Sequence, residues 1–321
     1  HMISIYKTMD TSNKLQALDT IEHGCWINIV APTDEDLLLI SKKSGVSLDF
    51  LRAALDEEET SRIDTEDNNL LVIVDIPFTE MEVNSLTYDS YPLAIIHTEF
   101  NLITVCLKNS KILTDFIDGK VKSFYTFKRS RFILQILYRI ASYYLLYLRQ
   151  IDKKSVMIEQ KLHRSMKNKE FIQLLSLEKS LVYFSTSLKA NEITLEKMLK
   201  LEILQKYPED QDIMEDVIIE NKQAIEMTNI YSNILGGTMD AFASVVSNNL
   251  NIVMKFLASV TIVMSIPNII FGSFGMNLKG IPFAAYKNGF WSVYVITAVI
   301  CVICIIFLKK RDLSTKYRIL L

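Results

Sequence analysis

The chain has 321 residues, 50% of them hydrophobic and 22% charged, with a formal net charge of -2. That balance supplies no global field for nucleic acid, and four cysteines, all in apolar runs, do not make a disulfide framework. A mean hydropathy of +0.20 is high for a wholly soluble protein and points to a soluble part joined to a membrane part.

Trp26 to Ala31 is a short apolar run that reads as a strand. Pro32-Thr33 follows, and Thr33 with Asp36 has capping-box spacing ahead of Leu37, Leu38, Leu39 and Ile40. Gly45 ends that helix, and Ser47 caps a second one holding Leu48, Leu51 and Leu55, with the acidic run Asp56-Glu57-Glu58-Glu59 after it. Leu70 to Ile76 is a β-branched run suited to a buried strand; Leu93 to His97 and Leu102 to Leu107 read as two more, joined at Glu99-Phe100-Asn101. These elements predict a compact α/β domain over residues 1–125.

From about Arg129 glycine is absent until Gly236, proline occurs only at Pro208, and Leu, Ile, Glu and Lys dominate. That is the composition of long helices. One is predicted through Tyr143, Leu146 and Ile151 toward Leu162, and a second from about Glu170 to Leu204. A break follows at Tyr207-Pro208-Glu209-Asp210. A third starts near Gln211 and meets no strong stop before Pro267, with Gly236-Gly237 as a predicted interruption, read either as a close helix approach or as a hinge. Segment 126–250 is a helical stalk in this reading.

Two uncharged apolar runs close the chain, Phe256 to Phe274 and Phe290 to Leu308. Each is about 19 residues, enough to cross a hydrocarbon core of roughly 30 Å as a helix. Residues 251–310 therefore form a transmembrane hairpin around Gly275-Met276-Asn277, and 311–321 a basic tail. Lys309, Lys310, Arg311, Lys316 and Arg318 follow the second run, whereas the hairpin loop carries only Lys279 and Lys287. The positive-inside tendency puts both termini in the cytoplasm and the loop outside. Cys301 and Cys304 lie inside the second run, where small apolar residues facing lipid or helix are the plain reading. His23, His97 and His163 are scattered, His97 in a strand-like run that suits a satisfied core position, and nothing pairs a nucleophile with a base at recognisable spacing. An enzyme is not expected.

At a period near 3.5, Asn251, Met254, Ala258, Thr261, Ser265, Asn268, Gly272 and Gly275 share one face of the first span. All but Met254 are small or polar. A carboxamide in hydrocarbon is costly unless it finds a partner or water. Several copies of the hairpin around an axis would enclose water along this stripe; dry helix packing uses the same residue types. Pro267 frees a carbonyl nearby, which is tolerated where backbone lines a cavity. Neither the spans nor the loop holds a carboxylate. Neutral oxygen acceptors suit an ion that keeps its water, as Mg²⁺ does, better than a soft metal.

Phe274-Gly275-Met276-Asn277, Ser247-Asn248-Asn249-Leu250-Asn251, Met264 to Pro267, Lys309-Lys310-Arg311 and Trp26-Ile27-Asn28 together resemble the CorA family of magnesium channels over nearly the whole chain. The resemblance implies an α+β membrane protein: a cytoplasmic α/β domain, a very long stalk helix continuing into the first span, and a second C-terminal span, assembled as a funnel-shaped homopentamer in the plasma membrane. It implies a first span that lines the pore and a second that faces lipid. Gly275, Met276 and Asn277 become the selectivity filter, Asn277 gripping hydrated Mg²⁺. Asn251, Met254, Leu257, Ala258, Thr261, Ser265, Asn268 and Gly272 become pore-lining, with Met254 and Leu257 the hydrophobic constriction. Mg²⁺ is both cargo and regulator: Asp216 and Asp240 fall where the family carries regulatory acids. The partner position is Ala53 here, with Asp56 and Glu57 about one turn further on. The sequence departs from the family at Phe274 (usually Tyr), at Asn268 (commonly Thr) and in the external loop, where many members carry an acid after the tripeptide but Lys279 follows here and no acid appears before the second span. A zinc-carrying branch of the same fold, with Co²⁺ or Ni²⁺ as further cargo, and a non-conducting membrane-tethered sensor or scaffold are the alternatives.

Overall fold

The computed structural model describes residues 2–9, 14–82, 85–165, 168–205, 207–276, 281–283 and 286–318. Asn277, Lys279 and the tail beyond 318 lie outside the described residues. The chain divides into two compact units, residues 1–239 and 240–321.

The first unit is built on one seven-stranded sheet. Its strands are β1 (Met2–Thr8), β2 (Leu15–Leu18), β3 (Trp26–Val30), β4 (Arg62–Glu66), β5 (Asn69–Glu82), β6 (Ser85–His97) and β7 (Leu102–Cys106), in the order β2-β1-β3-β7-β6-β5-β4. Among the described residues only β3 and β7 pair in parallel, Trp26 opposite Leu102 through Val30 opposite Cys106. All five β7 residues and four of five in β3 are buried, as strands covered on both faces require. Alternation splits the central strands. Ile27, Ile29, Ile103 and Val105 join a core with α1 (Asp34–Ser44) and α2 (Leu48–Arg52). Trp26 turns to the opposite face, where its ring meets Phe116, Phe124 and Phe132 at 5.2 to 6.4 Å. The Trp26 indole N–H donates to Thr104 Oγ1 at 2.8 Å, and Thr104 donates to Asn28 Oδ1 at 3.0 Å, so this dry layer satisfies its own polar atoms.

The local signals of this region act as read. Thr33 and Asp36 form a complete capping box, Gly45 closes α1 at φ 71°, and Ser47 accepts from Phe50 N. The predicted strands are the inner halves of a longer hairpin. β5 and β6 stay in register from Leu70–His97 out to Glu82–Ser85. Their outer halves lie under α4 (Arg129–Ser165) and α5 (Asn168–Met198), where Tyr88, Tyr144, Tyr147 and Phe184 pack edge-on or tilted. The first unit therefore takes in both residues 1–125 and most of the segment read as a stalk. Three short elements follow the central strands and long helices: α3 (Lys111–Ile117) after β7, α6 (Glu202–Gln205) after α5, and a 3₁₀ turn, Pro208–Asp210, with Pro208 in its first turn.

α7 runs from Gln211 to Phe274. Gly236 and Gly237 do not interrupt it, and a Cβ at either would meet nothing within 4 Å among the described residues, so neither marks a close approach within the chain. Helical neighbours hold the backbone there despite a propensity cost of about 1 kcal/mol per glycine. His97 is buried, as expected of a core position, but its Nδ1 has no hydrogen-bond partner among the described residues. Burial, with Arg129 adding, pushes its imidazole down to about 4.

The second unit is the C-terminal part of α7 with α8 (Gly289–Arg318). Among the described residues two helices are long and apolar enough to cross a membrane, with mean hydropathies of 1.8 and 2.7 over their most apolar windows.

Candidate ion-conducting site

Two rows of side chains on the membrane part of α7 behave differently. Ser259, Val263, Ile266, Ile270 and Phe274 are half-buried. This row faces α8: Cys301 Sγ lies 4.0 Å from the Val263 carbonyl oxygen, on the same row. Beside it the Phe271 ring stacks on Tyr294 at 5.0 Å. Met254, Ala258, Thr261, Asn268 and Gly272 are exposed. Position 261 is two residues from 263 on the other row, about 200° around the helix at 3.6 residues per turn. The stripe thus points away from the second span. Asn251 and Leu257 are exposed with it, Met254 at 58% and Leu257 at 53%; Ser265 alone is half-buried.

Within the stripe the hydroxyls and the amides differ. Thr261 Oγ1 donates to Leu257 O and Ser265 Oγ to Ile262 O, both at 2.8 Å. Off the stripe, Ser259 donates to Lys255 O and Ser273 to Ile269 O, again at 2.8 Å. A hydroxyl bonded to its own helix needs no water. A carboxamide has two N–H donors and an acceptor to satisfy, and the side-chain amides of Asn251 and Asn268 find no hydrogen-bond partner among the described residues. Those two amides are what makes the stripe demand a wet or polar neighbour.

One sequence inference is corrected by the geometry. Pro267 has no N–H, so the carbonyl four residues back, Val263 O, loses its helical donor. That carbonyl does not open onto the stripe: it meets Cys301 of α8. The proline belongs to the helix–helix contact, where a soft thiol stands in for the missing donor.

At the end of the span Gly275 N donates to Phe271 O at 2.9 Å, carrying the helical bonding one residue past Phe274, and Met276 is exposed. Asn277, the residue on which the selectivity reading depends, lies outside the described residues.

The carboxylates expected to be regulatory form no metal-holding cluster among the described residues. Asp216, Asp240, Asp56 and Glu57 are all exposed, and among the described residues no group of three or more His, Cys, Asp and Glu side chains is poised to hold a metal. Asp56 Oδ1 accepts from Glu58 N at 3.0 Å and so stabilises its own turn. Glu57 Oε1 lies 4.0 Å from Lys108 Nζ. Lys108 is a centre that sequence reading missed: it also stands 3.6 Å from Glu80 Oε2 and 4.5 Å above the Phe78 ring. Burial raises the nearby Asp89 carboxyl, with the Ser90 N–H and then Lys108 and Lys179 pulling the other way. Beside Lys108 opens a cavity of about 170 Å³, whose walls include Tyr91, Ser110 and Tyr147. These residues come from β5, β6, α4 and the loops after Leu55 and Cys106, so no local spacing announces them. A second missed cluster surrounds buried Asp115, which accepts from Lys120 at 3.0 Å, from Tyr143 at 2.8 Å and from Arg139. Burial would raise that carboxyl, but these donors hold it below its usual value.

The sequence profile of the CorA-like Mg²⁺ transporter proteins matches residues 22–310. The cobalt/magnesium transport protein CorA of Methanocaldococcus jannaschii is 29% identical over 301 residues, 89% of this chain and 90% of that protein. The complete structure of the CorA magnesium transporter of that organism matches at a TM-score of 0.81 and 28% identity, over 96% of this chain and 97% of that one. Its soluble domain, solved separately, matches at a TM-score of 0.65 and 27% identity, over 74% of this chain and 95% of that one.

Proposed function

The chain belongs to the family of CorA-like Mg²⁺ transporter proteins, and from that premise we propose that it is a channel through which hydrated Mg²⁺ enters the cell. Divalent-cation transport, not enzymatic turnover, is the activity of its relatives. The chain works as a homopentamer in the plasma membrane, with both termini in the cytoplasm. Five copies of α7 put Asn251, Met254, Leu257, Ala258, Thr261, Ser265, Asn268 and Gly272 around the axis, and α8 outside them. The observation that carries this reading is the orientation of the stripe: it turns away from α8, so in a ring with α8 outermost it faces inward. Gly275, Met276 and Asn277 form the filter. Asparagine oxygens accept hydrogen bonds from the waters that Mg²⁺ sheds reluctantly. A membrane potential of 100 mV supplies about 2.3 kcal/mol per elementary charge, so a divalent ion needs no other driving force.

Regulation comes from the same ion. Asp216 and Asp240 on α7, with Asp56 and Glu57 as partners across a subunit boundary, repel one another when bare and are bridged by Mg²⁺. Their exposure in the single chain suits such a shared site. The absence of Cys and His from the stripe favours Mg²⁺ over Zn²⁺, and liposome flux with Mg²⁺, Co²⁺, Ni²⁺ and Zn²⁺ ranks them. The decisive experiment is Asn277→Ala in a magnesium-starved strain. Uptake is abolished while the oligomer still assembles; undiminished uptake overturns the asparagine ring.

A further inference from the structure

The loop end of α8 carries a face that the pore does not use. Phe290, Trp291 and Tyr294 lie in the first turns of α8, and Lys287 stands in the turn just before it. All four are exposed, Trp291 at 68%. Phe290 meets Tyr294 at 5.4 Å and Trp291 at 5.7 Å, and Tyr294 stacks on Phe271 of α7, so the rings bridge both spans. Trp291 also heads an exposed apolar row, Val295, Val299, Val302 and Ile306, that runs down the rest of the helix. The aromatic face is therefore continuous with the surface that hydrocarbon must cover. Charge complements it. No Asp or Glu occurs from Ala241 to Arg311, so neither span nor the loop offers Lys287 a carboxylate. The anion within reach at that level of a bilayer is a lipid phosphate.

We propose that this face is a phospholipid anchor, in which the Lys287 ammonium meets the phosphate of a lipid headgroup while Trp291 and Tyr294 lie at the boundary between headgroups and acyl chains. Amphipathic rings favour that layer, since one edge is apolar and the N–H or O–H remains wet. The anchor sets the depth of the hairpin, and with it the level at which Gly275 and Met276 leave the membrane.

The inference rests on the spans lying in a bilayer, and fluorescence quenching tests it apart from ion flux. The chain has two tryptophans, and Trp26 is buried in the first unit. Full-length Trp26→Phe is placed in nanodiscs whose phosphatidylcholine is brominated either near the carbonyls or near the methyl ends. Bromine near the carbonyls should quench Trp291 about threefold more than deep bromine. Equal or greater quenching by deep bromine, or none by either, overturns the anchor. If Trp26→Phe misfolds, the difference between the unsubstituted protein and Trp291→Phe gives the same profile. The lysine has its own arm: brominated phosphatidylglycerol as a minor component. It should quench Trp291 beyond its bulk share, by up to about fivefold for one lysine beside an anionic lipid. Lys287→Gln should lose that excess and Lys287→Arg should keep it; an excess that survives Lys287→Gln overturns the phosphate contact. Full uptake by Asn277→Ala would sink the pore reading and leave this profile standing.

Discussion

The two units solve the burial problem in opposite ways. Residues 1–239 cover their own apolar surface: Trp26, Ile27, Ile29, Leu71, Ile73, Ile96 and Ile103 are all fully buried by one chain. Among the described residues of 240–321 most apolar side chains stay bare. Val260, Leu257, Ile303, Ile306 and Phe307 are exposed, and the most apolar window of the first span has none of its residues buried. A water-soluble protein does not leave a patch of that extent uncovered. The difference says which solvent each unit is made for: packing inside one chain accounts for the first unit and leaves most of the second uncovered.

The largest effect that can break this contrast is a pair of truncations. Trp26→Ala removes a fully buried ring that touches three phenylalanines and should cost about 3–5 kcal/mol. Ile303→Ala removes a side chain that is 60% exposed and should change stability in detergent or nanodiscs by less than about 1 kcal/mol, because lipid covers the site before and after. Denaturant unfolding followed by near-ultraviolet circular dichroism reads both. Equal losses would mean that the second unit has a protein core the single chain does not reveal.

A smaller effect tests how completely the first unit excludes water. The Asp75 carboxyl is pushed up to about 6 by burial, with the Ser187 hydroxyl pulling the other way. Asn191 fixes the backbone on either side of it: Asp75 N donates to Asn191 Oδ1 and Asn191 Nδ2 donates to Asp75 O, both at 2.8 Å. A carboxyl whose folded value lies above its unfolded one favours the fold while protonated. That contribution is present below about pH 4 and is lost as pH rises through about 6. Asp75→Asn should therefore stabilise the protein by about 2–3 kcal/mol at pH 7.5 and by little at pH 4.5. Thermal unfolding at the two pH values checks it; an equal gain at both would place Asp75 in water.

What the sequence makes legible follows the same division. Thr33, Asp36, Gly45 and Ser47 act within a few residues of themselves, so their caps are readable from spacing alone. β1, β2 and β4 give no such signal. β2 and β4 are edge strands, each paired on one side only, and β4 reads Arg-Ile-Asp-Thr-Glu, mostly solvated. The Lys108 centre and the meeting of Cys301 with the Val263 carbonyl join residues far apart in sequence, and periodicity carries no such information. Gly236-Gly237 misled because propensity is a weak term against a long helix with favourable neighbours. The stripe was visible as a stripe, but whether its members face water or protein depends on copies that one sequence does not display.

The finest test separates members of that stripe. If water fills the ring, the group that needs it is Asn268, whose amide finds no partner among the described residues, and not Thr261, whose hydroxyl is already given to Leu257 O at 2.8 Å. Asn268→Leu removes the amide, narrows the ring with a branched apolar chain, and should cut Mg²⁺ flux in liposomes by at least about tenfold, the equivalent of about 1.4 kcal/mol on the barrier. Thr261→Val keeps the volume, deletes a hydroxyl that bonds inward, and should cut flux by less than about threefold, since an intrahelical hydrogen bond contributes about 1 kcal/mol or less net. A dry stripe predicts another ranking. Both substitutions would then act through oligomer stability, read as subunit dissociation on dilution in detergent, and Thr261→Val, the better packer, would leave the oligomer as stable as before or more so. Flux and dissociation measured on the same two variants thus tell a wet axis from a packed one.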